Sequence, residues 1–189
     1  MRITTTSIHH PFYARRRTIS IPFGAQRFLA MFEGIEGGFA IGTSVILALS
    51  FANLPLRALL ISAFVSMLVG GFNSASVRYS SEHFLDELDG REKRSSFRNY
   101  FIPAFIEFIS YALISFLTIL PVILLANLHV AIAMSVVLNL AILFGAGYWR
   151  GFVVEMKPVR DGLETMLLGA FIMLVGLVSG YIIHALSVL

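Results

Sequence analysis

The sequence predicts an all-α polytopic membrane protein with five transmembrane helices. Two observations carry that prediction. The 189 residues are 57% hydrophobic and only 13% charged, with a mean hydropathy of +0.83, whereas soluble domains run about 45–50% apolar and about 25% charged. Apolar runs of the length a bilayer demands, about 20 residues, recur five times, at roughly 28–52, 56–80, 102–126, 128–150 and 163–187. The chain has no cysteine, so a disulfide framework and thiolate metal ligation are excluded.

Residues 1–27 precede the first run. They carry His9, His10 and Arg15 to Arg17 but no apolar stretch long enough for a signal peptide. They read as a polar cytosolic tail, able to lie on the membrane surface through Ile19, Ile21 and Phe23. Residues 28–189 form the membrane domain. Asn53-Leu54-Pro55 separates the first two spans, because proline has no N–H with which to continue a helix. Residues 81–100 are the one long hydrophilic interior segment, a short cytosolic connection into which the second helix continues as far as Leu88. Asn127 to His129 turns the chain between spans three and four, and Pro158 acts as a breaker between four and five.

Thirteen of the 14 Lys and Arg residues fall in the tail and in the second-to-third and fourth-to-fifth connections; Arg57 alone falls on the other side. By the positive-inside rule the N-terminus is cytoplasmic and, after five spans, the C-terminus is outside, in a cell membrane. The same rule accounts for the basic pI of 9.5 without nucleic acid. No HExxH, P-loop or GxSxG motif occurs, so an enzyme is not expected, nor a permanently bound cofactor.

The head of the first span is unusual: Phe32-Glu-Gly-Ile-Glu-Gly-Gly-Phe-Ala-Ile-Gly42. Carboxylates inside a span are costly and face a partner, a bundle interior or water. Glu33 and Glu36, three residues apart, read as sharing one helical face, with Glu36 the deeper by one turn; Glu107 enters the third span to a similar depth. The plain reading of Glu33 is an interfacial, solvated group, and of Glu36 a structural hydrogen-bonding carboxylate. The alternative is a cation site. Gly34, Gly38 and Gly42 make two overlapping GxxxG steps, a spacing that lets helix backbones approach closely in lipid. Gly147/Gly151 and Gly176/Gly180 repeat it. Such faces point to self-association, which would bring two copies of Glu36 together, and Gly37 leaves room for a ligand to reach backbone carbonyls. At the end of span two, Asn73, Ser74, Ser76 and Arg78 are polar. Beyond them Glu82/Asp86 and His83/Glu87 have i, i+4 spacing, which fits a solvated helix end before it fits a metal site.

Taken in order, these stretches resemble the vacuolar iron transporter family. Gly34-Ile-Glu-Gly-Gly-Phe-Ala40 is similar to the opening of that family's first span. Asn73 to Ser81 followed by Asp86-Glu-Leu88 is similar to the end of its second, Pro103-Ala-Phe through Leu120-Pro121 to its third, and Arg160-Asp-Gly-Leu-Glu through Gly180-Tyr181 to its last. The resemblance implies a homodimer that exports Fe²⁺ or Mn²⁺ from the cytoplasm in exchange for protons. It places Glu36 at the family's first-span aspartate. Ser74 stands where the family has methionine, a hard hydroxyl for a soft thioether, and Arg78 lies nearest a family glutamate. The metal ligands expected on this basis are Glu36, Glu33, Ser74, Asn73 and Glu107. Arg78 would be a competing cation that pairs with Glu33 or Glu36. The departures at Ser74 and Arg78 also support an alternative, a non-transporting membrane protein that keeps the fold but has lost the metal path.

Overall fold

A computed structural model describes residues 24–52, 54–90 and 95–187. The proposed surface-lying segment of the tail lies outside the described residues. Five helices follow one another: α1 (Ala25–Ser50), α2 (Leu56–Leu88), α3 (Ile102–Leu124), α4 (Leu128–Val153) and α5 (Pro158–Ser187). A π-helical turn, Phe97–Phe101, runs directly into α3. All five are long and apolar enough to cross a membrane, and the described residues contain no strand. The chain is an integral multi-pass membrane protein.

The helix ends follow local chemistry. Gly24, at φ 81°, takes a conformation that side chains disfavour and starts α1 three residues before the expected span. Pro55 is the N-cap of α2. Asn127 caps α4, its side-chain oxygen accepting from the backbone N–H of His129 at 3.0 Å and of Val130 at 3.3 Å. Pro158 corrects one expectation. It is the first residue of α5, so the helix begins five residues before the apolar run that announced it. Proline suits a first turn because its missing N–H would find no partner there anyway.

Helix α1 is the axis of the bundle. It touches all four other helices, α3 and α5 most extensively, while the backbone of α2 does not come close to that of α4 or α5 among the described residues. Of its most apolar stretch 44% is buried, against 22% for α5, whose outer face is left to lipid. The glycines make the axial position possible. A Cβ at Gly38 would stand 2.7 Å from the carbonyl oxygen of Tyr111, and one at Gly42 2.8 Å from Thr118 Oγ1. Gly34 also lies against the α3 backbone, Gly176 and Gly180 lie against α1, and Gly147 lies against Asp161 and Thr165 of α5. Every one of these GxxxG steps therefore serves packing within the chain. The expectation that the first-span glycines form a face for self-association is corrected on this point: that face is filled by α3.

Two apolar clusters complete the core. Ile46, Leu59, Ala63, Met67, Ile119, Val122 and Ala131 close the end of the bundle where α1 finishes. Phe39, Ala40, Leu47, Leu143 and Met173 join α1 to α4 and α5.

Candidate functional site

The charged side chains gather at the opposite end, where α1 begins, and α1 divides them into two groups. Three residues on a helix subtend about 300°, so Glu33 and Glu36 differ by about 60° in direction. On a helix that touches all four others that angle is enough to send them to different neighbours, and the expected shared face is not kept.

Glu33 turns towards α2 and α3. It is ion-paired with Arg78, which also pairs with Glu82 at 2.7 Å and faces Glu107 at 3.6 Å. A guanidinium nitrogen of Arg78 donates to the Gln26 carbonyl at 3.3 Å, and the Gln26 amide donates to Glu82. Ser74 Oγ donates to Glu107. Arg78 is buried and Glu107 is only 2% exposed, while Glu33 keeps an exposed side. Local sequence explains the arrangement. Arg78 and Glu82 are one turn apart on α2, and Ser74 is one turn before Arg78, so the three form a single stripe that meets α1 through Glu33 and Gln26 and α3 through Glu107. Arg78 can be buried because three carboxylates surround its terminal guanidinium nitrogens, while its Nε and Glu107 Oε2 make no hydrogen bond. Formal charges are three negative and one positive, so the cluster retains a net charge of about −2 with all groups ionised.

Glu36 turns towards α4. Arg150 donates to it at 2.8 Å and to Thr165 of α5 at 3.4 Å. Both partners of the ion pair remain partly exposed. Aromatic packing brings the two helices into register: Trp149 meets Phe28 edge-on and Phe32 at a tilt, both on α1, with ring centroids 5.9 and 5.3 Å apart. Arg78 thus meets Glu33 and not Glu36, and Glu36 has its own cation. Arg150 was legible only as a basic residue near the end of span four. In the structure it lies on α4 itself, facing back to α1.

Of the expected metal ligands, Glu33, Glu107 and Ser74 come together around Arg78. Glu36 stands apart, and Asn73 is exposed on α2, outside the cluster. Glu82, expected only in a solvated helix end, joins the cluster. Its signal was the i, i+4 spacing from Arg78. Asp86 accepts from Tyr100 at 2.8 Å, and His83 lies 3.7 Å from Glu87; these residues tie the end of α2 to the π-helical turn. With Arg78 at the centre, no group of three or more His, Asp or Glu side chains among the described residues is arranged to hold a metal ion.

Between this cluster and the core stands Tyr111. Its ring fills the space left by Gly37 of α1 and by Gly70 and Gly71 of α2. The glycine next to Glu36 therefore accommodates a phenol from α3.

A family model, the VIT family, matches residues 78–181. The match begins at Arg78 and runs through α3, α4 and most of α5, more than half of the chain. None of the curated proteins compared matches the chain. The chain belongs to the VIT family, the vacuolar iron transporters.

Proposed function

From membership of a family of membrane metal-ion transporters, we propose that this protein exports a divalent cation, Fe²⁺ or Mn²⁺, in exchange for protons, and works as a homodimer in a cell membrane with its basic end in the cytoplasm. One observation carries the reading: three carboxylates, Glu33, Glu82 and Glu107, converge on a single cation, with Ser74 beside them. A site that concentrates negative charge at one end of a membrane bundle draws cations from that side. Its donors are all oxygens, which suit Mn²⁺ and other hard cations better than soft ones.

Arg78 acts in this reading as a tethered competitor. Its guanidinium holds the carboxylates in place while no metal is bound. An entering divalent ion displaces it towards the exposed side of Glu33. The residual charge of the cluster matches a divalent ion, and protons taken up by the carboxylates on release give the exchange its chemistry. Glu36, held by Arg150, fastens α1 to α4 on the far side of the first helix.

A second reading is favoured by the same cation. If Arg78 never leaves, the carboxylates are permanently compensated and the chain keeps the fold without a metal path. Flux into proteoliposomes separates the two, measured for Fe²⁺, Mn²⁺, Co²⁺, Ni²⁺ and Zn²⁺ with internal pH followed. The exporter reading expects metal-dependent proton movement that Glu107→Gln abolishes and Arg78→Ala raises. Identical background flux in wild type and both variants, for every metal, would leave the non-transporting reading.

A further inference from the structure

The basic end of the molecule is not evenly compensated. Arg78 is surrounded by carboxylates, and Arg150 is paired with Glu36. Lys157 and Arg160 line a cavity that Glu164 also lines. Arg27, in the first turn of α1, and Arg98, in the π-helical turn before α3, are placed differently. They line one cavity of about 310 Å³ together with Gln26 and Asn99, and no acidic side chain lines it. Neither arginine makes an ion pair among the described residues. One N–H of the Asn99 amide goes to the Ser95 carbonyl at 3.0 Å, which leaves the other for a ligand.

The adjoining chain supplies no counter-charge. Residues 1–32 hold five arginines, Arg2, Arg15, Arg16, Arg17 and Arg27, and no Asp or Glu. Residues 93–106 hold Lys93, Arg94 and Arg98, and again no acid. In the neighbouring cluster Glu33 and Glu82 already face Arg78. An anion held in this cavity therefore comes from outside the chain.

Its position says which kind of anion. Helix α1 has 26 residues, about 39 Å at 1.5 Å per residue, against a hydrocarbon core of ~30 Å. Shared between the two ends, the surplus of about 9 Å places roughly the first three residues in the headgroup layer, and Arg27 is the third. Leu29, Phe97 and Phe101, close by in the same segments, are exposed apolar side chains, and Phe97 and Phe101 stack with ring centroids 5.0 Å apart. An anion seated between the arginines thus has hydrocarbon beside it. The guanidinium fork matches phosphate oxygens, and basic pockets between membrane helices at this level take phospholipid head groups. A zwitterionic head group would bring a cation for which the cavity lining has no acid.

We propose that the corner between the first turn of α1 and the π-helical turn binds the phosphate of an anionic phospholipid, with Arg27 and Arg98 as its charged contacts and its acyl chains along Leu29, Phe97 and Phe101. The lipid ties the start of α1 to the start of α3 from outside the bundle, as Glu33, Arg78 and Glu107 tie them from inside. The site is independent of the metal exchange proposed above and stands whether or not the chain moves a cation.

The full chain, purified and stripped of lipid in a neutral detergent, is titrated with dioleoylphosphatidylglycerol, with dioleoylphosphatidylcholine and with inorganic phosphate. The readouts are the thermal midpoint and the lipid retained in native mass spectrometry. Phosphatidylglycerol should raise the midpoint and stay bound as a single lipid per chain, and the other two should do neither. Arg27→Gln and Arg98→Gln should each raise the lipid concentration needed about fivefold, and together roughly thirtyfold. Arg27→Lys and Arg98→Lys should keep most of the response. Both arginines are at least partly exposed, so the lipid-free midpoints of these variants should match wild type. Arg160→Gln, at the same end but beside Glu164, should leave the response unchanged. Equal weakening by Arg160→Gln would reveal a diffuse positive surface and overturn the site. Inorganic phosphate or phosphatidylcholine as effective as phosphatidylglycerol also overturns it, as does no response to phosphatidylglycerol, or one that the double Arg→Gln variant keeps.

Discussion

The two flanks of α1 solve the problem of an intramembrane carboxylate differently. On the α4 flank, Glu36 meets one arginine, and both remain partly exposed. Such a pair is worth little, about 0–1 kcal/mol, and its role is to hold two helices in register. On the α2–α3 flank, three carboxylates meet one arginine, and Arg78 and Glu107 are buried. Ion groups taken this far from water are weak evidence for stability, and an excess of negative charge around them is weaker still. The contrast teaches that the α4 flank is built to pair, whereas the α2–α3 flank carries more acid than its own cation needs.

Substitutions test that contrast. The largest effect is expected from Gly38→Leu, which forces a side chain against the Tyr111 carbonyl and Ile114. The usual ~1–3 kcal/mol for overpacking should be exceeded, because backbone cannot give way, and little folded protein should be recovered in detergent. Gly145→Leu, where a Cβ meets nothing within 4 Å, should fold normally. A Gly38→Leu variant as stable as wild type would mean that α1 and α3 are not packed this closely. Next comes Arg78→Ala in metal-free buffer. It leaves buried Glu107 uncompensated and should cost about 3 kcal/mol, the low end for a broken buried pair, read as a lowered thermal midpoint. The smallest effect is expected from Glu36→Gln, at about 1 kcal/mol or less, since both partners of its pair stay partly exposed. If Glu36→Gln destabilises more than Arg78→Ala, the contrast between the flanks is inverted.

Most of the fold was legible in the sequence because bilayer crossing imposes a length and an apolarity that few other constraints mimic. Five spans, the continuation of α2 to Leu88 and the turns at Pro55 and Asn127 follow from that. Helix ends were less legible: Pro158 punctuates a helix from inside its first turn as readily as from outside. The site was only partly legible. Residue spacing shows which groups share a helix but not which neighbour each one meets, so the partners of Glu33 and Glu36 could not be told apart, and Arg150 passed for a connection charge. The glycines announced close approach correctly, but spacing alone could not say whether the approaching helix came from the same chain. The buried polar residues of α3, Glu107, Tyr111, Ser115 and Thr118, left a readable trace. It was obscured because hydroxyls contribute little to hydropathy and the span reads as apolar around them.

In the exporter reading, Arg78 stands where a transported divalent cation would bind. That placement is tested most directly by the thermal midpoint of purified wild type and of Arg78→Ala, each titrated with Mn²⁺. The variant, destabilised without metal, should recover as Mn²⁺ is added, by about 2.7 kcal/mol at a hundredfold excess over its Kd, and wild type should respond only at much higher concentration. A variant whose midpoint stays low at every Mn²⁺ concentration would contradict it, and would make Arg78 a fixed structural counter-ion.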